Sequence, residues 1–164
     1  MFIEMKVSGI ILDPVSNVPI VILKDGEGKH TLPIWIGLLE ASAIAMELEK
    51  IKVHRPLTHD LLKNLLEQLK ITVVKIEITD LRENTYYALI HLQTREAVMS
   101  LDSRPSDAIA LALRVAAPIF VAKAVLDKSQ HLETKESEFS QENKDKWSEI
   151  LEGLDPDDFG KYKM

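Results

Sequence analysis

The sequence predicts an α+β fold, a single domain with an internal duplication of strand–strand–strand–helix units, plus a C-terminal helical tail. Three observations carry this. Segments of period-two hydrophobicity alternate with segments of helical period, in the order βββαα and then βββα with a further element. Similar blocks recur, since LPIWI precedes EASAIAMEL in one half while EAVMSL precedes DAIALAL in the other. The composition, 46% hydrophobic and 28% charged, supports a sizeable core.

The first half opens with residues 2–12 (FIEMKVSGIIL), which read as a strand; Glu4 and Lys6 interrupt the apolar pattern that a secretory leader would need. Turn residues Asp13, Pro14, Ser16 and Asn17 lead into a second strand over 18–24. Asp25 to Gly28 is a hairpin turn, and 30–36 (HTLPIWI) is a third strand. Pro33 cannot donate to a sheet ladder and so argues for an edge or an irregularity, while Trp35 is expected in the core or at an interface. Gly37 then opens an amphipathic helix with Ala41, Ile44, Leu48 and Ile51 on one stripe. After a break at 52–56, a second helix follows. Thr58 is its expected N-cap, Leu57 a staple onto Leu62, and Leu61, Leu62, Leu65, Leu66 and Leu69 its apolar face.

The second half returns to period two at 71–79 and 85–94, around a turn at 81–84, with a short strand at 96–101. Pro105 suits the first turn of the next helix and Asp107 its positive end, and Pro118 terminates it. Residues 119–126 (IFVAKAVL) read as a last strand or short helix. Beyond a polar linker at 129–142, residues 141–153 read as a helix with Trp147, Ile150, Leu151 and Leu154 on one side.

Composition removes several function classes. The chain has no cysteine, so disulfides, thiolate zinc sites and cysteine nucleophiles are excluded, and a cytoplasmic location is the expectation. No apolar run is long enough to suggest a membrane span. Residues 1–129 hold 15 Lys and Arg against 16 Asp and Glu, whereas 130–164 hold 5 against 10, so the acidity belongs to the tail. No basic face of the kind that marks non-specific nucleic-acid binders emerges from composition. Phosphate loops, H-E-x-x-H, nucleophile elbows and dinucleotide fingerprints are missing, and no organic cofactor is expected.

The remaining candidates for chemistry lie at helix starts: Glu40 at the first, Arg55, His59 and Asp60 around the second, and Arg104, Ser106 and Asp107 around the third. If the two halves pack as pseudo-repeats, these ends converge on one cleft. Phosphodiester hydrolysis would need what such a set offers: carboxylates for a divalent cation, a histidine as acid or base, and arginine on phosphate. Capping and dipole pairing are the competing explanation for every one of these residues.

LPIWIGLLEASAIAMEL, RPLTHDLL and SRPSDAIALALR, in that order, resemble the bifunctional nuclease domain family over about residues 3–128. The resemblance implies an α+β fold with repeated strand–helix units, self-association, and hydrolysis of both DNA and RNA. It makes 1–129 the nuclease-like domain and 130–164 an acidic linker and helix of the kind found in bacterial members. From the chemistry of their side chains, His59, Asp60, Asp107 and Glu40 are catalytic candidates, and Arg55, Arg104 and Ser106 would bind substrate. Asp60 and Asp107 would ligate magnesium or manganese. Nucleic acid and a second copy of the chain, in a homo-oligomer with a dimer favoured, are the expected partners. The alternative is a non-catalytic regulatory or interaction module with the same fold.

Overall fold

The computed structural model describes residues 1–130 together with Glu149, Glu152 and Gly153. Seven strands form one mixed sheet: β1 (Phe2–Leu12), β2 (Pro19–Asp25), β3 (Thr31–Trp35), β4 (Thr72–Arg82), β5 (Thr85–Gln93), β6 (Val98–Ser103) and β7 (Ile119–Ala122). Four helices accompany them: α1 (Leu38–Leu48), α2 (Thr58–Gln68), α3 (Pro105–Val115) and α4 (Lys123–Gln130). The fold is therefore α+β, and the segment 119–126 divides into a strand and a helix. The helix expected over 141–153 lies, three residues apart, outside the described part.

The sheet order is β3-β2-β1-β7-β4-β5-β6. Each half is an antiparallel meander that starts beside β7 and winds outward to an edge, β3 on one side and β6 on the other. β7 closes the gap, antiparallel to β1 and parallel to β4. Each edge strand is followed by a helix, α1 after β3 and α3 after β6, and these two helices pack on each other. The duplication read from the sequence is thus a repeated topology, and it brings the starts of α1 and α3 together.

The main core lies between the sheet and the helices, with a second small cluster of Ile11, Ile20 and Ile22 on β1 and β2. Met5, Leu23, Ile76 and Ile78 from the strands meet Ala41, Ile44, Ile109 and Leu111 from α1 and α3, with Val125 and Leu126 from α4. Alanine-rich faces on α1 and α3 permit the close approach. Tyr86 of β5 donates its hydroxyl to the carbonyl of Pro33 in β3 at 3.2 Å, linking the two halves on the core side. Burial pushes its phenol up to about 12, so the hydroxyl stays a donor.

Two local readings, the α2 cap and the β4–β5 turn, are corrected, and two are sharpened. The N-cap of α2 is Leu57 rather than Thr58, because Asp60 reaches back to accept the Leu57 N–H at 3.0 Å. Of the five leucines on its apolar face, only Leu66 is buried; Leu61, Leu65 and Leu69 are more than half exposed. The β4–β5 turn shortens to Glu83 and Asn84, both at positive φ (48° and 60°), a geometry that matches the twist of the flanking strands. Trp35, 40% exposed, is not in the core; its indole N–H donates to Asp13 Oδ2 at 3.1 Å.

Candidate functional site

The site forms where the start of α2 meets the starts of α1 and α3. Arg104, the N-cap of α3, has an extended backbone, and Pro105 fixes the first helical position. One turn on, Asp107 accepts from Arg104 Nε through Oδ2 at 2.7 Å. The same guanidinium donates from Nη1 to Glu40 Oε1 of α1 at 2.8 Å. His59 in the first turn of α2 completes the chain, its Nε2 lying 2.9 Å from Asp107 Oδ1. Glu40, Arg104, Asp107 and His59 therefore form one hydrogen-bonded line drawn from three helices.

Gly37 makes room for this line. It is the N-cap of α1 at φ −72°, a conformation open to any residue. A Cβ built there would sit 2.1 Å from Glu40 Oε2 and 3.0 Å from its carboxyl carbon. The missing side chain is thus the space that the Glu40 carboxylate occupies while it holds Arg104.

The electrostatics follow from these contacts. Burial works to raise the Asp107 pKa, but hydrogen bonds from Arg104 and His59 outweigh it and hold the carboxyl below its ordinary range. Arg104 is raised by Asp107 first and Glu40 second, so it stays cationic while 64% of its side chain faces solvent. Two of its five N–H groups are engaged, leaving the rest for a ligand oxygen. The His59 side chain is only 14% exposed. Among the described residues its Nδ1 has no hydrogen-bond partner, and with Nε2–H donated to Asp107 that nitrogen carries the lone pair.

Asp60 belongs to a second arrangement. Its Oδ1 accepts from Arg114 Nε at 2.7 Å and its Oδ2 from the Leu57 backbone. Arg114 is 4% exposed and also donates to the carbonyls of Ala43 and Ala110, so it ties α1, α2 and α3 together. Burial again opposes ionisation of Asp60, and the Leu57 amide and Arg114 more than offset it. Arg114 was not among the sequence candidates. The available signal was its spacing, seven residues after Asp107 and so on the same side of α3.

Of the other candidates, Arg55 is exposed in the segment between α1 and α2, outside the hydrogen-bonded line. Ser106 is 6% exposed, packed in the first turn of α3. As for a metal, Asp107 and Asp60 are each already paired with an arginine guanidinium, which opposes a second cation beside them. Among the described residues, no three His, Asp or Glu side chains converge as a metal-holding group. The donor set does not fit a resident cation.

A cavity of about 420 Å³ opens beside Asp60 and Arg114, near the C-terminal ends of α1 and α3. Among the described residues no helix is long and apolar enough to cross a membrane.

Comparison with known proteins fits this architecture. An uncharacterized protein of Mycobacterium tuberculosis is 38% identical over 162 residues, covering 95% of this chain and 97% of its own length. Bifunctional nuclease 1 of Oryza sativa subsp. japonica is 29% identical over 109 residues, 64% of this chain. Bifunctional nuclease 2 of Arabidopsis thaliana is 27% identical over 104 residues, 62% of this chain. The matched segment spans only 33% and 31% of those two plant proteins. The bifunctional nuclease domain itself matches residues 21–134, which include α1, α2 and α3 and so every residue of the hydrogen-bonded line. With that match over most of its length, the chain belongs to the bifunctional nuclease domain family.

Proposed function

We propose that the protein hydrolyses phosphodiester bonds in DNA and RNA at the junction of α1, α2 and α3. The observation that carries this reading is the His59–Asp107 pair at 2.9 Å beside the exposed Arg104 guanidinium. Asp107 fixes the imidazole tautomer, and His59 Nδ1 takes a proton from the attacking water. The open N–H groups of Arg104 hold the non-bridging phosphate oxygens. As the new P–O bond forms, the bond to the leaving sugar oxygen breaks, and that oxygen takes a proton from solvent. Glu40 acts on Arg104 and is a positioning residue.

Two carboxylates against one guanidinium leave the line with net negative charge, which opposes a polyanion. Magnesium or manganese therefore enters this reading as an ion accompanying the nucleic acid, not as a resident of Asp60 and Asp107. The test is purified protein with single- and double-stranded DNA and RNA, with added magnesium, with manganese and with chelator. Cleavage that co-elutes with the protein supports the reading; nucleic acid left intact under every condition overturns it.

A cytoplasmic homo-oligomer, most simply a dimer, is part of the same proposal. Its support is the row of exposed leucines on α2, which a monomer would leave in water. The competing reading, a non-catalytic regulatory module, draws on the pairing of each carboxylate with a cation. It predicts an intact fold with no hydrolysis of any of the four substrates.

A further inference from the structure

The cavity at the ends of α1 and α3 is separate from the hydrogen-bonded line but close to it. Asp60, on its wall, directly follows His59 in α2. Along α3, Asp107 and Arg114 are two turns apart, about 10 Å at the helical rise. A group held in the cavity would thus lie within a nucleotide's reach of Arg104 and His59.

The lining has a definite chemistry. Met46, Val53 and Leu57 supply apolar walls. Asp60 and Asn64, four residues apart, share one face of α2, and Glu47 comes from α1. A carboxylate has about four lone-pair sites. Asp60 uses two of its sites, for Arg114 and the Leu57 amide. Glu47 accepts from Lys50 through Oε1, which leaves Oε2. The Asn64 amide has no hydrogen-bond partner among the described residues, and so offers both a donor and an acceptor. Five apolar residues and six polar or charged ones, Lys52, His54 and Arg114 among them, line the cavity, and at about 420 Å³ it suits a small planar ligand with a polar edge.

We propose that this cavity binds a nucleobase whose Watson–Crick edge carries an exocyclic amine beside a ring-nitrogen acceptor, adenine or cytosine, on the nucleotide next to the phosphodiester at His59. The inference rests on the nuclease reading for its place in the reaction, but not for the binding itself. An amine donates to the carboxylates of Asp60 and Glu47, and the Asn64 amide pairs with the adjoining donor–acceptor edge. Uracil and thymine present a carbonyl where the amine would be, setting acceptor against acceptor. The apolar walls cover the faces of the ring.

The experiment is calorimetric titration of the full chain with AMP, CMP and UMP. AMP and CMP are expected to saturate the protein, with UMP at least tenfold weaker. Asn64→Leu and Glu47→Gln should each weaken AMP at least tenfold, with unfolding curves showing that both variants fold. UMP binding as tightly as AMP, wild-type affinity in Asn64→Leu, or no AMP binding up to about 1 mM overturns the proposal. AMP binding by a protein that cleaves no nucleic acid retains the cavity assignment and removes the nuclease reading alone.

Discussion

His59 and Asp107, 48 positions apart in sequence, meet at 2.9 Å because two repeated halves aim their helix starts at one point. The meeting is a product of topology. The edge strands β3 and β6 turn into helices α1 and α3, which pack on each other, and α2 packs on α3.

Gly37 gives the sharpest test of how the line is held. Gly37→Ala is expected to shift stability by no more than about 1 kcal/mol, because the backbone there already suits alanine. The new Cβ displaces the Glu40 carboxylate and frees Arg104. KM for nucleic acid should rise about threefold to fivefold, the scale of one exposed ion pair. A Gly37→Ala/Glu40→Ala double variant should be no worse than Glu40→Ala alone. Independent, additive losses in steady-state kinetics would show that Gly37 acts elsewhere.

Arg114 should matter for the fold first. It is buried, and its guanidinium holds Asp60 and two carbonyls. Arg114→Met removes those bonds and leaves Asp60 without its cation, so a loss of about 3–5 kcal/mol is expected in urea unfolding. Arg114→Lys should recover only part of it, since an ammonium cannot reproduce the fork. A loss below about 1 kcal/mol in Arg114→Met would refute this role.

Acid should destabilise the protein through a small set of carboxylates. Asp60, Asp107 and Glu77 all titrate below their ordinary values of 3.8, 3.8 and 4.5 in the folded state. For Glu77, burial raises the pKa but hydrogen bonds from Lys75 and His91 overcome it. A depressed folded pKa contributes stability that is present above the unfolded value and lost as pH falls through the folded one. The urea midpoint should therefore be flat from neutral pH down to about 5 and fall steeply below about 4. A midpoint independent of pH between 5 and 3 would contradict these assignments.

Legibility in the sequence followed physical cause. Strands and helices announced themselves through hydrophobic period, and the repeated blocks gave the duplicated topology. Glu40, His59, Arg104 and Asp107 were visible as polar residues at helix starts, because those ends are where such residues concentrate. The role of Asp60 was less legible, since its partner Arg114 is 54 positions away and inside an apolar helix. The leucines of α2 were legible as an apolar face but not as an exposed one. An amphipathic pattern states that a face is apolar, not what covers it.

Those leucines supply a prediction of their own. Leu61→Glu/Leu65→Glu places two charges on a face already more than half exposed, so the fold should survive. The mass measured by light scattering should drop to that of a single chain. An unchanged oligomer, or a wild-type protein that is monomeric at every concentration, would remove this face from the assembly.

The central claim is that His59, oriented by Asp107, takes the proton in phosphodiester hydrolysis. The most direct measurement compares cleavage of one single-stranded RNA by wild type, His59→Ala and Asp107→Asn, purified identically and matched by unfolding temperature. Losses in kcat of about 10²–10⁴-fold are expected in both variants. Wild-type rates in either variant would contradict it.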